Sequence, residues 1–287
     1  MSNDRYELID FGNGRKLESL SGYLVDRPSP AAEQFSPRDP ARWKESQSRF
    51  NRESKSWSHR EPWPEDLCVD CGAFRMPLRP TPFGHIGLFP EQFPNWQWLG
   101  NLKTDADSLP LNALNLFGYT GASTIALSKA GFQVAHVDAA KPNVQSLRKA
   151  AQVNSMVDAP IRYLVDDAVR FTAREVRRQR RYHTIVLDPP AYGHSPKGKA
   201  WRLERDLWPL LDDCLKLLSP ESFRILITGH SPQIDQNDVA EYLQTTRFMR
   251  GIGSPGLLLT AGRSQLKDAR ARRLDTGFYV RAESRPN

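Results

Sequence analysis

From about Leu111 onward, apolar runs and amphipathic stretches alternate in strict order, and that order sets the fold class. The runs Leu114–Phe117, Gln133–Val137, Ile161–Leu164, Thr184–Leu187, Arg224–Thr228, Leu257–Thr260 and Phe278–Arg281 read as strands. Helical patterns separate the early ones. Ser123–Ala130 stops at Gly131, a C-cap glycine, and Pro142–Val153 carries proline in its first turn. Ala168–Gln179 follows Asp167, a candidate N-cap. Leu203–Leu218 lines up Leu203, Leu207, Leu210, Leu211, Cys214 and Leu217 on one stripe. Alternating units of this kind predict an α/β fold with a doubly wound, mainly parallel, Rossmann-like sheet. We assign it to residues 81–287.

Residues 1–80 carry a different pattern, that of a small β-rich N-terminal extension. Tyr6–Asp10 and Arg15–Glu18 alternate around Gly12-Asn13-Gly14, a hairpin signal. From Arg27 to Asp66 the chain is rich in Pro, Ser and Arg, with Trp43, Phe50, Trp57 and Trp63 spread among the charges. It reads as an irregular basic linker, or as a surface that stacks single-stranded RNA bases on its rings. Ala73–Leu78 predicts another short strand. The Gly-, Pro- and aromatic-rich run from Thr81 to Pro90 predicts a loop, in which His85 is a candidate pocket residue beside Phe83 and Phe89.

The net charge of +7 favours acidic partners such as nucleic acid, although it equally describes a merely basic soluble protein. Arginines cluster at 170, 174, 177, 178, 180 and 181, and basic residues recur at Arg263, Lys267, Arg270, Arg272 and Arg273. No window approaches the roughly 18 apolar residues of a membrane span. No apolar segment follows Met1-Ser2-Asn3-Asp4-Arg5, so a secretory signal is not expected and the cytoplasm is the default location. Cys68 and Cys71 have CxxC spacing, but no second pair or His cluster completes a zinc site, and no metal is expected. The sequence leaves the oligomeric state open.

The chemistry collects at strand ends, where ligands bind in doubly wound sheets. Gly118-Tyr119-Thr120-Gly121 follows the first core strand and lacks the GxGxxG spacing of a dinucleotide site. Asp138 ends the second strand, twenty residues after Gly118, the offset expected of a ribose acceptor. Asp166-Asp167 follows the third, where one carboxylate can accept from an adenine amine or cap the next helix. Asp188-Pro189-Pro190-Ala191-Tyr192 ends the fourth. Two prolines freeze an extended exit and leave carbonyls without local donors, next to a carboxylate and a flat ring. That group of acceptors suits an exocyclic amine on a planar substrate. Together the four features point to an adenosine-type ligand.

The segments Leu114–Asp138, Tyr163–Phe171 and Ile185–Leu210 resemble the class I S-adenosylmethionine-dependent methyltransferases, in particular the bacterial large-subunit ribosomal RNA methyltransferase group. The run Thr81-Pro82-Phe83-Gly84-His85-Ile86-Gly87-Leu88-Phe89-Pro90-Glu91-Gln92 resembles the segment preceding the core in that group, whereas the first eighty residues do not resemble its PUA-type RNA-binding domain. The resemblance implies S-adenosylmethionine as cofactor, bordered by Phe117, Gly118, Thr120 and Gly121, with Asp138 at the ribose, Asp167 at the adenine and Gln92 closing over it. It also implies an acceptor site lined by Asp188, Pro189 and Tyr192, with RNA as substrate.

Members that methylate carbon 5 of cytosine have a cysteine after the fifth strand, where this chain reads Thr228-Gly229-His230-Ser231. Direct transfer to a nitrogen is therefore expected, with Asp188 and the Pro189 carbonyl orienting the amine. The loop His194-Ser195-Pro196-Lys197-Gly198-Lys199-Ala200-Trp201-Arg202 either grips phosphates and closes the site or is solvated. Two other readings stay open: methylation of a protein amide or small amine, and a non-catalytic RNA-binding protein of the same fold.

Overall fold

The computed structural model describes residues 4–101, 111–193, 200–252 and 256–284. Contacts divide the chain into two compact units. The first runs up to Phe93 and also takes Gln152–Ser155 and Gln265–Thr276. The second holds Pro94–Ala151, Met156–Ser264 and the chain from Gly277.

The first unit is built on a five-stranded sheet in the order β1-β2-β3-β4-β5: β1 (Tyr6–Gly12), β2 (Arg15–Leu20), β3 (Tyr23–Pro28), β4 (Ser48–Asn51) and β5 (Ser56–His59). The Asn-Gly signal is met: Asn13 and Gly14 both take left-handed φ, 51° and 70°, between β1 and β2. Residues 27–66 are not the irregular linker expected from composition. They contain α1 (Pro40–Trp43), capped by Asp39, and β4, which pairs in parallel with β3. The aromatics there are structural. The indoles of Trp43, Trp57 and Trp63 donate to Asp10 Oδ2 (2.8 Å), the Thr81 carbonyl (2.7 Å) and the Leu78 carbonyl (3.1 Å). Phe50, Trp57, His59 and Trp63 also contact one another ring to ring. A short ribbon, β6 (Cys68–Asp70) with β7 (Arg75–Pro77), completes the unit's strands before α2 (Phe93–Gly100).

In the second unit seven strands form one sheet in the order β10-β9-β8-β11-β14-β16-β15. They are β8 (Asn112–Leu116), β9 (Gln133–Asp138), β10 (Ile161–Val165), β11 (Thr184–Leu187), β14 (Arg224–Gly229), β15 (Leu257–Lys267) and β16 (Arg273–Ser284). The first five named are parallel, and β16 runs antiparallel to β14. The helices are α3 (Ala122–Lys129), α4 (Lys141–Val153), α5 (Ala168–Arg177), α6 (Leu203–Leu217), α7 (Gln236–Thr245) and α8 (Arg247–Ile252). The α6 stripe is buried as its spacing predicts, from Leu203 through Leu211 and Cys214 to Leu217.

The two C-terminal strands are far longer than their apolar centres suggested. Their shared tip is grouped with the first unit, where Leu266 and Leu274 pack with Leu8 and Phe11. Arg272, expected on a solvated basic surface, is instead ion-paired with Asp10 and Asp268. Among the described residues no helix is long and apolar enough to cross a membrane.

Candidate functional site

The strand order reverses between β8 and β11, which lie side by side although α3, β9, α4, β10 and α5 separate them in sequence. Register puts Leu116, Leu187 and Ile227 abreast, so Phe117, Asp188 and Thr228 emerge next to one another at the carboxyl ends. This is the crevice where ligands of such sheets bind.

The turn after β8 is tightly wound. Phe117 (φ 55°), Tyr119 (φ 51°) and Gly121 (φ 94°) are left-handed, unusual for two bulky aromatics and a mark of stored strain. Gly118 is required for a different reason. A Cβ there would lie 2.4 Å from His136 Cε1, so the turn sits directly on the imidazole. Gly121 opens α3 without a side-chain cap, so the helix's first amides have no capping side chain.

Asp138 braces this turn from β9. Its Oδ2 accepts from the Tyr119 amide (2.8 Å), and Oδ1 accepts from the Ala140 amide (2.8 Å) and Asn143 Nδ2 (3.0 Å). Burial raises its pKa against these three donors. Asp167 plays the capping role at α5, its Oδ1 accepting from the Arg170 amide (2.9 Å). Its neighbour Asp166 pairs with Arg174, a residue of the arginine cluster read from the sequence. In that cluster Arg178 pairs with Glu175, and Arg181 donates to the Lys216 carbonyl.

Asp188 is half-buried, and its Oδ1 accepts a 2.6 Å hydrogen bond from Thr228 Oγ1. Pro189 is buried, whereas Tyr192 is 52% exposed. The Asp-Pro-Pro-Ala-Tyr segment is clasped by a two-stranded ribbon, β12 (Tyr192–Gly193) with β13 (Trp201–Arg202). The Trp201 indole donates to the Pro190 carbonyl (2.7 Å), and its ring lies 5.0 Å from that of Phe117. Residues 194–199 of the loop read as either gripping phosphates and closing the site or solvated lie outside the described residues.

Behind the turn lies a polar chain that sequence reading missed. Asn115 Nδ2 donates to Thr124 Oγ1 (2.9 Å), and Thr124 Oγ1 meets His136 Nδ1 (2.9 Å). The hydroxyl thus links the Asn115 amide to the imidazole of His136. His136 is fully buried and its Nε2 has no hydrogen-bond partner of normal geometry. Burial pushes its pKa down to about 4, against an opposing pull from the Tyr119 backbone.

The structure thus gathers Phe117, Gly118, Thr120, Gly121, Asp138, Asp167, Asp188, Pro189 and Tyr192 at the strand ends of one unit. Gln92 and His85 belong to the other unit, and the His85 ring contacts Phe89 at 5.4 Å. Thr228, Trp201 and His136 were visible only as residues near a strand end, because their roles arise across strands. All three cysteines are buried, with the Cys71 thiol pushed up to about 12 and Cys214 raised further by burial. Among the described residues no cluster of His, Cys, Asp or Glu is placed to hold a metal.

No protein-family model matches the chain. A crystal structure of an S-adenosylmethionine-dependent methyltransferase from Agrobacterium tumefaciens is similar over 96% of this chain and 89% of its own, with 33% identity and a TM-score of 0.86. A structure described as a candidate methyltransferase of the same dependence, from Streptococcus mutans, shares the fold at 15% identity and TM-score 0.73, over 99% of this chain and 76% of its own. Among curated proteins, the ribosomal RNA large subunit methyltransferase K/L of Desulfotalea psychrophila is 27% identical over 151 residues. That match takes in 52% of this chain but only 20% of that protein's length.

Proposed function

The chain belongs to the S-adenosylmethionine-dependent methyltransferases, and from that premise we propose that it methylates a nitrogen of a nucleobase in RNA. The observation that carries the acceptor chemistry is the fixed carboxylate of Asp188 beside two prolines at the switch point.

The residues present fit the cofactor. The left-handed turn and the uncapped amides of α3 suit the carboxylate end of its methionine, and Gly118 and Gly121 let the turn pack directly against His136 and Leu147. Asp138 serves the ribose hydroxyls with the capacity left after bracing the turn, since three of about four lone-pair positions are already engaged. Asp167 faces the adenine amine with the oxygen not used in capping α5.

Bound there, the cofactor supplies an electrophilic methyl on a sulfonium. Asp188 accepts a hydrogen bond from the substrate's amine, turning its lone pair outward and stabilising the positive charge that develops on nitrogen. The Pro190 carbonyl is engaged by Trp201, so the second acceptor is the Pro189 carbonyl. Tyr192 stacks on a base taken out of its helix. Carbon-5 methylation would need a thiolate adduct, and the three thiols are buried and held protonated. RNA as the substrate class is supported by the net charge of +7 and by the similarity to ribosomal RNA methyltransferases, of which the chain spans about a fifth.

The test is methyl transfer from labelled cofactor to total RNA, protein and small-molecule fractions of a strain lacking the gene. Label appearing in RNA as an N-methyl base supports the proposal. Label confined to protein or metabolites refutes the RNA assignment.

A further inference from the structure

We infer that Thr228 is a positioning residue for methyl transfer, one that holds the Asp188 carboxylate in the orientation that receives the acceptor amine. The inference rests on the proposed role of Asp188. It draws on the geometry between β11 and β14, which the nature of the substrate does not affect.

Thr228 lies on β14, one residue past Ile227, which pairs with Leu187. Its hydroxyl is 2.6 Å from Asp188 Oδ1 and 3.4 Å from the Leu187 carbonyl. A hydroxyl has one proton to give, and the shorter, charge-assisted bond takes it. Thr228 is 2% exposed, so water does not compete for that proton. The β-branched side chain restricts χ1 in a strand, which fixes the direction of the donor.

The backbone beneath it is equally constrained. Thr228 pairs with Tyr279 of β16, and a Cβ on the next residue, Gly229, would lie 2.8 Å from the Phe278 ring. Gly277 takes φ +115°, and a Cβ there would come within 2.3 Å of the Gly229 carbonyl. The two backbones therefore meet closely just past Thr228. A carboxylate on a strand-end residue otherwise rotates about χ2, a broad torsion. Tied on Oδ1 to β14, it has its orientation held before substrate arrives. Sequence alone gives no hint of this, since forty residues separate the two groups.

The test needs no acceptor substrate. Sinefungin carries an amine in place of the transferable methyl of S-adenosylmethionine, on a carbon that replaces the sulfonium sulfur, and S-adenosylhomocysteine has neither the methyl nor that amine. The ratio of their affinities reports how well the enzyme receives an amine at the transfer position. It is measured by calorimetry for the wild type, Asp188→Asn, Thr228→Val and Thr228→Ser. We expect Asp188→Asn to lower the ratio about tenfold or more, as for a charged hydrogen bond. Thr228→Val should lower it about three- to tenfold with S-adenosylhomocysteine affinity unchanged, and Thr228→Ser should restore it. A collapse in Asp188→Asn with a wild-type ratio in Thr228→Val overturns the Thr228 role alone. An unchanged ratio in Asp188→Asn overturns both it and the acceptor-site reading.

Discussion

His136 gives the most quantitative expectation. It is fully buried under the turn at Phe117 to Gly121, and its pKa is depressed from the ordinary 6.5 to about 4, chiefly by burial. Between those values the unfolded chain binds a proton at this position and the folded chain does not. Stability contributed by the neutral imidazole is therefore complete above pH 6.5 and is lost as pH falls towards 4. At about 1.4 kcal/mol per pKa unit, the loss across that window is about 3 kcal/mol. His136→Asn isolates it, because Asn keeps an acceptor for the Thr124 hydroxyl and does not titrate. At pH 7.5 the variant should be less stable than wild type by about 1–2 kcal/mol, from the smaller side chain beneath Gly118. As pH falls, the gap should close and then reverse, since only the wild type carries the protonation penalty. Urea unfolding followed by circular dichroism at intervals from pH 7.5 to 4 gives the difference directly. A difference that stays constant across the range would refute the reasoning, because it would mean that His136 is not held neutral.

Asp138→Ala should weaken cofactor binding by about 1–3 kcal/mol in calorimetry, because it removes a charged acceptor and releases the Tyr119 amide from the turn. Asp188→Ala should abolish turnover while leaving cofactor affinity within a few-fold, and near wild-type turnover would remove Asp188 from the acceptor site. Gly118→Ala drives a methyl group to 2.4 Å from the His136 ring, so we expect a lower melting temperature together with weakened cofactor binding. Replacing all three cysteines by Ser or Ala should preserve turnover, with a stability loss at the buried Cys214 site. Loss of turnover in a folded triple variant, or a 5-methylpyrimidine product in mass spectrometry, would overturn nitrogen as the acceptor.

The core sheet was legible because its strands are buried on both faces and separated by well-signalled helices. β11 coincides with the expected Thr184–Leu187, and β8 through β10 begin and end within two residues of expectation. The strand-end acids were legible for the same reason, since a carboxylate directly after an apolar run must sit at the crevice. The first unit was harder to read. β4 and β5 are four residues each, and β4 finds its partner β3 across the nineteen residues between Pro28 and Ser48, so no local alternation announces them. Trp43, Trp57 and Trp63 looked like ring surfaces among charges because the carbonyl or carboxylate each one meets is distant in sequence. The C-terminal strands were cut short because Arg263, Gln265 and Lys267 alternate with Ser264 and Leu266, a half-exposed strand that reads as a polar tail. Thr228 was read only as the absence of a cysteine. Its hydrogen bond belongs to the register between two strands, which no window of sequence contains.

The turn at Phe117 to Gly121 also bears on when the cost of order is met. Two aromatic residues held at positive φ cost of order 1–3 kcal/mol each, and Asp138, Gly118 and the His136 ring hold them there through contacts within the folded chain. If the turn borders the cofactor as proposed, the shape that receives it is set once, during folding, and is not renewed at every catalytic cycle. A protein arranged this way gives up some resistance to unfolding in exchange for rapid, low-entropy capture of a small molecule that it must release as product after each turnover.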